Sequence, residues 1–178
     1  MGRKREPRFV LPQCVVRPWT MEDVRPLAHW ADNPRIARNL RDRFPQPYGL
    51  SDAKRWIRAA RATDPPTHFA IEVDGQAVGG VGFDAFDDID RRTAEIGYWL
   101  AEPFWGRGIA TAALAAVTEY AFLMFDLVRL QARVFEGNPG SMRVLEKAGY
   151  VCEGRLRRSV TKNDRTIDSF LYAYVKEA

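Results

Sequence analysis

Apolar positions along the chain switch between a period of two and a period near 3.6, and the switches predict alternating strands and helices. A short strand over Cys14 to Arg17 precedes Pro18. Thr20 followed by Asp23 reads as a helix start, with Val24, Leu27, Ala28 and Ala31 on one face and Pro26 expected to kink or shorten the helix. Pro34, Pro45 and Pro47 mark an irregular segment, after which Ser51 is placed to cap a helix whose Ala53, Trp56, Ile57 and Ala60 face inward. His68 to Phe83 reads as a hairpin around Asp74 and Gly75. Ala94 to Ala101 is a further strand, and the longest helix, Ile109 to Phe125, carries a broad stripe of Ile109, Ala112, Ala113, Ala116, Val117, Tyr120 and Met124. Leu127 to Phe135 has the cleanest period of two. Asn138 caps another helix, with Pro139 at its first position, Val144, Leu145 and Ala148 inward and Gly149 at its end; strands over Tyr150 to Arg157 and Thr166 to Lys176 follow. The late strand-helix-strand-helix-strand order predicts a mixed α/β domain around one central sheet.

Length and composition narrow the class. With 178 residues, of which 46% are hydrophobic and 28% charged, the expected organisation is a basic, flexible arm over residues 1–12 and a single domain over 13–178. The apolar run Ala110 to Val117 is far shorter than the roughly 20 residues that span a bilayer. The basic opening is interrupted by Pro12, Gln13 and Arg17, where a secretory signal needs unbroken apolar sequence. A cytoplasmic protein is therefore expected. Cys14 and Cys152 form neither a disulfide framework nor a zinc site and read as small inward hydrophobes. The net charge of +4 is mild, but it is unevenly distributed. Arg35, Arg38, Arg41, Arg43, Lys54, Arg55, Arg58 and Arg61 face only Asp42 and Asp52 within their segment, while Asp84, Asp87, Asp88 and Asp90 cluster further on.

Chemistry concentrates in AEIGYWLAEPFWGRGIATAALAAV, Ala94 to Val117, where a strand runs through a short glycine-containing loop into the longest helix. Such a junction aims free backbone N–H groups and the positive helix end at one point, which suits phosphate oxygens. Gly106 and Gly108 leave the backbone approachable, and Arg107 adds a cation. A dinucleotide loop would need a glycine where Thr111 stands; a P-loop would need Lys-Ser or Lys-Thr in place of Ile109 and Ala110. A tight turn whose glycines only permit packing is the remaining alternative.

Downstream, Asn138, Ser141, Glu146, Lys147, Ala148, Gly149 and Tyr150 lie in NPGSMRVLEKAGY. Together with FWGRGIATAAL this closely resembles the Gcn5-related N-acetyltransferase (GNAT) family, in the RimJ/RimL-type branch of ribosomal-protein N-terminal acetyltransferases and their bacterial relatives. The resemblance runs from Val15 to Val175. It implies an α/β (α+β) fold with a mixed central sheet flanked by helices and a splayed pair of strands forming an acetyl-CoA cleft. It further implies that Trp105, Gly106, Arg107, Gly108, Ile109 and Ala110 form a pyrophosphate loop, and that Tyr98, Trp99 and Leu100 line the pantetheine arm. Asn138 would hydrogen-bond that arm, with Arg143 and Lys147 near the phosphates; the alternatives are a pure helix cap for Asn138 and solvated side chains for the other two. Two positions depart from the family pattern: Pro103 stands where Gln or Arg is usual, and Leu145 where many relatives carry a tyrosine acid.

Acetyl transfer needs a neutral amine, polarisation of the thioester carbonyl and a proton for the departing thiolate, and no metal. An α-amine with a pKa near 7.7 to 8.0 is about a tenth or more neutral at pH 7, against about 0.04% for a lysine near 10.4. That gap of roughly 2.5 units corresponds to about 3.4 kcal/mol and favours a weakly basic acceptor. Glu95 is the candidate base, or alternatively an ordinary charged strand residue. Backbone amides over Tyr98 to Leu100 would polarise the carbonyl. Ser141 is the candidate acid, or alternatively bonds only its own helix backbone. His29 and His68 read as structural. The expected function is acetyl-CoA-dependent N-acetylation of an amine acceptor by direct transfer in a ternary complex. Acceptors to weigh are a protein N-terminus, with a ribosomal protein or the ribosome as partner, and a polyamine, aminoglycoside or amino acid drawn by the aspartate cluster. A non-catalytic acetyl-CoA-binding or RNA-associated module is the reading from another class, and a homodimer is an analogy with relatives only.

Overall fold

The computed structural model describes residues 6–177. Its strands are β1 (Phe9–Val10), β2 (Val15–Pro18), β3 (His68–Val73), β4 (Gln76–Ala85), β5 (Thr93–Leu100), β6 (Arg129–Phe135), β7 (Val151–Lys162) and β8 (Arg165–Val175). Its α-helices are α1 (Val24–Ala31), α2 (Pro34–Ala37), α3 (Leu50–Ala60), α4 (Ile109–Met124) and α5 (Pro139–Lys147). The strands join in one eight-stranded sheet in the order β1-β2-β3-β4-β5-β6-β8-β7.

Alternation along β3 decides which helix layer covers which face. Phe69 and Ile71 enter one apolar cluster with Ile109, Ala113, Leu114 and Val117 of α4 and Leu145 of α5. Ala70 enters a second with Leu27 of α1 and Ala53 and Ile57 of α3. Because successive strand side chains point to opposite faces, α4 and α5 lie on one side of the sheet and α1 and α3 on the other. No charged residue interrupts α4 before Glu119, as suits a helix buried around most of its circumference.

All pairings are antiparallel except that of β5 with β6. That parallel pairing lasts only from Thr93↔Arg129 through Ala94↔Leu130 to Glu95↔Gln131. Beyond it, β5 continues against β4 as far as Leu100, and β6 follows β8 as far as Phe135. The two central strands therefore diverge, leaving backbone groups of Ile96 to Leu100 facing a gap rather than a neighbouring strand.

Most predicted elements are present, with informative differences. The arm expected over 1–12 is not separate from the domain: Phe9–Val10 pair with β2, and the Phe9 ring packs edge-on against Phe69 and Tyr120. Residues 1–5 lie outside the described part. Pro26 does not kink α1, because a 3₁₀ turn (Met21–Asp23) precedes the helix and puts Pro26 in its first turn, where the missing N–H has no intrahelical partner to lose. α3 starts from Gly49, whose N–H donates to Asp52 at 3.0 Å, rather than from Ser51. Trp56 is 36% exposed at the edge of the α3 stripe, its ring edge-on to His68. Met124 is exposed at the end of α4. Cys14 is buried, but Cys152 is exposed because it lies on β7, an edge strand with an uncovered outer side. β7 runs on to Lys162, past the predicted end at Arg157, with register shifts between Cys152/Gly154 and Leu156/Val160. Among the described residues no helix is long and apolar enough to cross a membrane.

Candidate active site

The end of β5 leads into the loop that precedes α4. A 3₁₀ turn (Glu102–Phe104) includes Pro103, and the Trp105 indole donates back to the Leu100 carbonyl at 2.7 Å, closing the loop on the strand. Gly106 and Gly108 both have φ of 75°, the left-handed region that side chains rarely adopt. An added Cβ at either position would meet no atom within 4 Å. These glycines are thus set by backbone conformation while facing open space. The first backbone bond into α4 is Ala112 N–H to Gly108 O at 3.0 Å, and no side chain caps the helix. The consecutive amides of residues 106–111 consequently have no protein acceptor among the described residues. A run of free donors at the positive end of a helix is an anion cradle. Arg107 is exposed and lies 5.5 Å from the Phe104 ring centroid, and Arg35 lies 5.7 Å from that of Trp105.

Across the gap stands the start of α5. Asn138 caps it, its side-chain oxygen accepting from Ser141 N–H at 3.2 Å, so the cap leaves the Asn138 amide nitrogen unused. The Tyr98 hydroxyl lies 2.7 Å from Ser141 Oγ and 3.0 Å from the Ser141 carbonyl. Burial raises the Tyr98 phenol well above its usual range, only partly opposed by the Ser141 bond, so it remains a neutral proton donor. Leu145 is fully buried in the apolar core, so the position of the missing tyrosine offers no group to the cleft. The hydroxyl pair of Tyr98 and Ser141 is instead assembled from β5 and α5. Sequence reading placed Tyr98 with the cofactor arm and missed this contact; the two residues are 43 positions apart, and no local pattern joins them. Arg143 is exposed on α5.

Glu95 does not share a face with Tyr98. It has the parity of Trp99, whose ring packs against Phe44 on the α1/α3 side, with centroids 6.0 Å apart. Both Glu95 oxygens accept from Arg41, Oε2 at 2.6 Å. With side chains 50% and 26% exposed, such a pair contributes about 1 kcal/mol or less. The residues after Arg41 make similar contacts: Asp42 accepts from Lys162 at the β7–β8 turn at 2.6 Å, and Arg43 lies 3.5 Å from Asp84 on β4. Asp84 and Glu95 are themselves cross-strand partners. An open pocket of about 300 Å³ lies beside this loop, lined by Arg38, Asp42, Phe44, Gln46, Lys162 and Asn163 among others. The junction loop, Tyr98, Ser141 and Asn138 thus border the strand gap near α4 and α5, while Glu95 faces the pocket side. Among the described residues no group of three or more His, Cys, Asp or Glu is placed to hold a metal.

Comparison with known proteins bears on this arrangement. A family model described as an acetyltransferase (GNAT) domain matches residues 13–151. The ribosomal-protein-serine acetyltransferase of Escherichia coli (strain K12) is 33% identical over 107 residues, 60% of this chain and 59% of that protein. The spermidine N(1)-acetyltransferase of the same strain is 28% identical over 147 residues, 79% of this chain and 74% of that protein. Among solved structures, Mycobacterium smegmatis RimJ in complex with CoA-disulfide aligns with a TM-score of 0.80 and 28% identity, covering 91% of this chain and 81% of that one.

Proposed function

Because the chain belongs to the GNAT family of N-acetyltransferases, we propose that it moves the acetyl group of acetyl-CoA onto a protein N-terminal α-amine by direct transfer in a ternary complex. The donor half of this reading is carried by one observation: the unsatisfied amides of residues 106–111 open onto space that glycine Cβ atoms would otherwise enter. They are suited to a diphosphate, with Arg107 and Arg143 as outer cations. The backbone groups of Tyr98 and the Leu100 N–H, on the gap side of β5, and the free amide nitrogen of Asn138 suit the amide-bearing pantetheine arm. When bound, acetyl-CoA supplies an activated acetyl thioester and departs as a thiol.

The chain's own groups divide the remaining work between the two faces of β5. Ser141 holds a proton at Oγ for the departing sulfur, with the neutral Tyr98 hydroxyl behind it. Amides near the end of β5 polarise the carbonyl. Glu95, on the opposite face, accepts the proton of the amine directly or through one water. With a single ion-paired carboxylate as base, an acceptor already partly neutral at pH 7 suits this site better than a lysine. The ribosomal-protein-serine acetyltransferase relative supports a ribosomal protein as acceptor and a cytoplasmic setting. A polyamine acceptor, as in the spermidine relative, finds less support, since Asp84 and Glu95 already have arginine partners.

The test is release of free thiol from acetyl-CoA with N-terminal peptides, polyamines and aminoglycosides. Peptide-dependent release is expected; release with spermidine alone would overturn the acceptor assignment, and background release throughout with intact CoA binding would overturn catalysis.

A further inference from the structure

Arg41, Asp42 and Arg43 reach three different parts of the sheet: Glu95 on β5, Lys162 at the β7–β8 turn and Asp84 on β4. The loop between α2 and α3 is thereby fastened over the face that presents Glu95. In the pocket beside it, Arg38 has no carboxylate partner among the described residues, whereas Asp42 in the same pocket, and Asp84 and Glu95 on the sheet, all have basic ones. An incoming ammonium group must take Glu95 from Arg41, leaving Arg41 uncompensated beside a new cation. A ligand carrying a carboxylate near its amine avoids that conflict: ammonium to Glu95 and carboxylate to Arg41 turn one ion pair into two. The displaced pair is half-exposed and correspondingly weak, so the exchange starts from a low cost.

We infer that the acceptor is an amine with a carboxylate close by, and that Arg41 selects for that carboxylate. The shared chemistry is an α-ammonium within a few bonds of a carboxylate, which a peptide with Asp or Glu at its second or third position and a free amino acid both offer. This inference rests on reading the Glu95 face as the acceptor side. Arg41 is a specificity and positioning residue here, since the proton passes to Glu95.

Matched peptides beginning Ser-Asp, Ser-Gln and Ser-Lys, together with free serine and spermidine, distinguish the possibilities. For each, kcat and KM are measured, and binding to the CoA-loaded protein is followed by titration calorimetry. The Ser-Asp peptide is expected to exceed Ser-Lys by about tenfold in kcat/KM, mainly through KM, with the gap narrowing as salt is raised. Arg41→Gln should erase the gap between the acidic and basic peptides, and Arg41→Lys should retain most of it. Free serine matching the acidic peptide would name an amino acid as the source of the carboxylate, and free serine falling far behind would name the peptide. Equal binding of acidic and basic peptides, a preference that survives Arg41→Gln, or spermidine as the tightest ligand would overturn the inference. If no amine is acetylated while calorimetry still shows the Arg41-dependent preference, the transfer reading fails and this one stands.

Discussion

Tyr98 and Ser141 show what a single contact adds to a residue's role. The serine alone offers a hydroxyl at a helix start, where it can turn to its own backbone; the tyrosine hydroxyl at 2.7 Å gives it an external partner across the strand gap. Ser141→Ala is expected to lower kcat by about 10²-fold with CoA affinity nearly unchanged, and Tyr98→Phe by about tenfold; steady-state rates beside CoA titrations check both. An unchanged kcat in Ser141→Ala removes it as the acid. Away from the site, Asp23 is 3% exposed and forks onto Arg17 with two bonds of 2.8 Å. Burial by itself would raise its carboxyl, but the Arg17 bonds, with the Thr20 N–H and hydroxyl, outweigh burial and hold it below the ordinary range. A depressed folded value means the stabilisation is complete above the unfolded value near 3.9 and is lost as pH falls through the folded one. Asp23→Asn, which leaves Arg17 its second partner Glu72, should therefore cost about 2 kcal/mol in urea unfolding at pH 7 and progressively less below about pH 4, since the wild type loses the same pair there.

At the scale of elements, the start of α4 carries the prediction. A glycine in the left-handed region as N-cap, with free amides on both sides, is a backbone site for anions, so its strength depends on conformation more than on any one side chain. Gly108→Val forces a β-branched residue into that region and puts methyl groups into the space facing the loop. CoA binding should fall at least tenfold by calorimetry, and full affinity in this variant would show the phosphate loop to be misplaced. In the parent chain, hydrogen exchange of amides 106–111 should slow on adding CoA and stay unchanged with the acceptor peptide alone. How legible each element was follows its length. The Asp74-Gly75 hairpin and α4 announce themselves because a turn with positive φ at both residues, or four turns of apolar sequence, leaves a strong local mark. β1 has two residues and α2 four, too few for any period to emerge, so the sequence predicts only arm or irregular chain there.

At the scale of the whole molecule, the proposed function brings both ligands to one sheet, and binding should be visible in global stability. At a CoA concentration 100-fold above its dissociation constant, about 2.7 kcal/mol of stabilisation is expected. For a chain of this length that is a rise in Tm of about 5–10 °C by scanning calorimetry, which Gly108→Val should largely lose. Residue order by itself determined the α/β succession, the glycine loop before the longest helix, the capped start at Asn138 and the family resemblance, because each is written in neighbouring residues through periodicity, φ preference and missing side chains. Only the tertiary structure decided that Tyr98 meets Ser141, that Arg41 covers Glu95, that Lys162 closes on Asp42 and that Glu95 and Tyr98 lie on opposite faces of β5. Those relations depend on which strands pair, where β5 and β6 part and how far β7 extends. Such choices are settled by burial and register among residues tens of positions apart, and no local spacing encodes them.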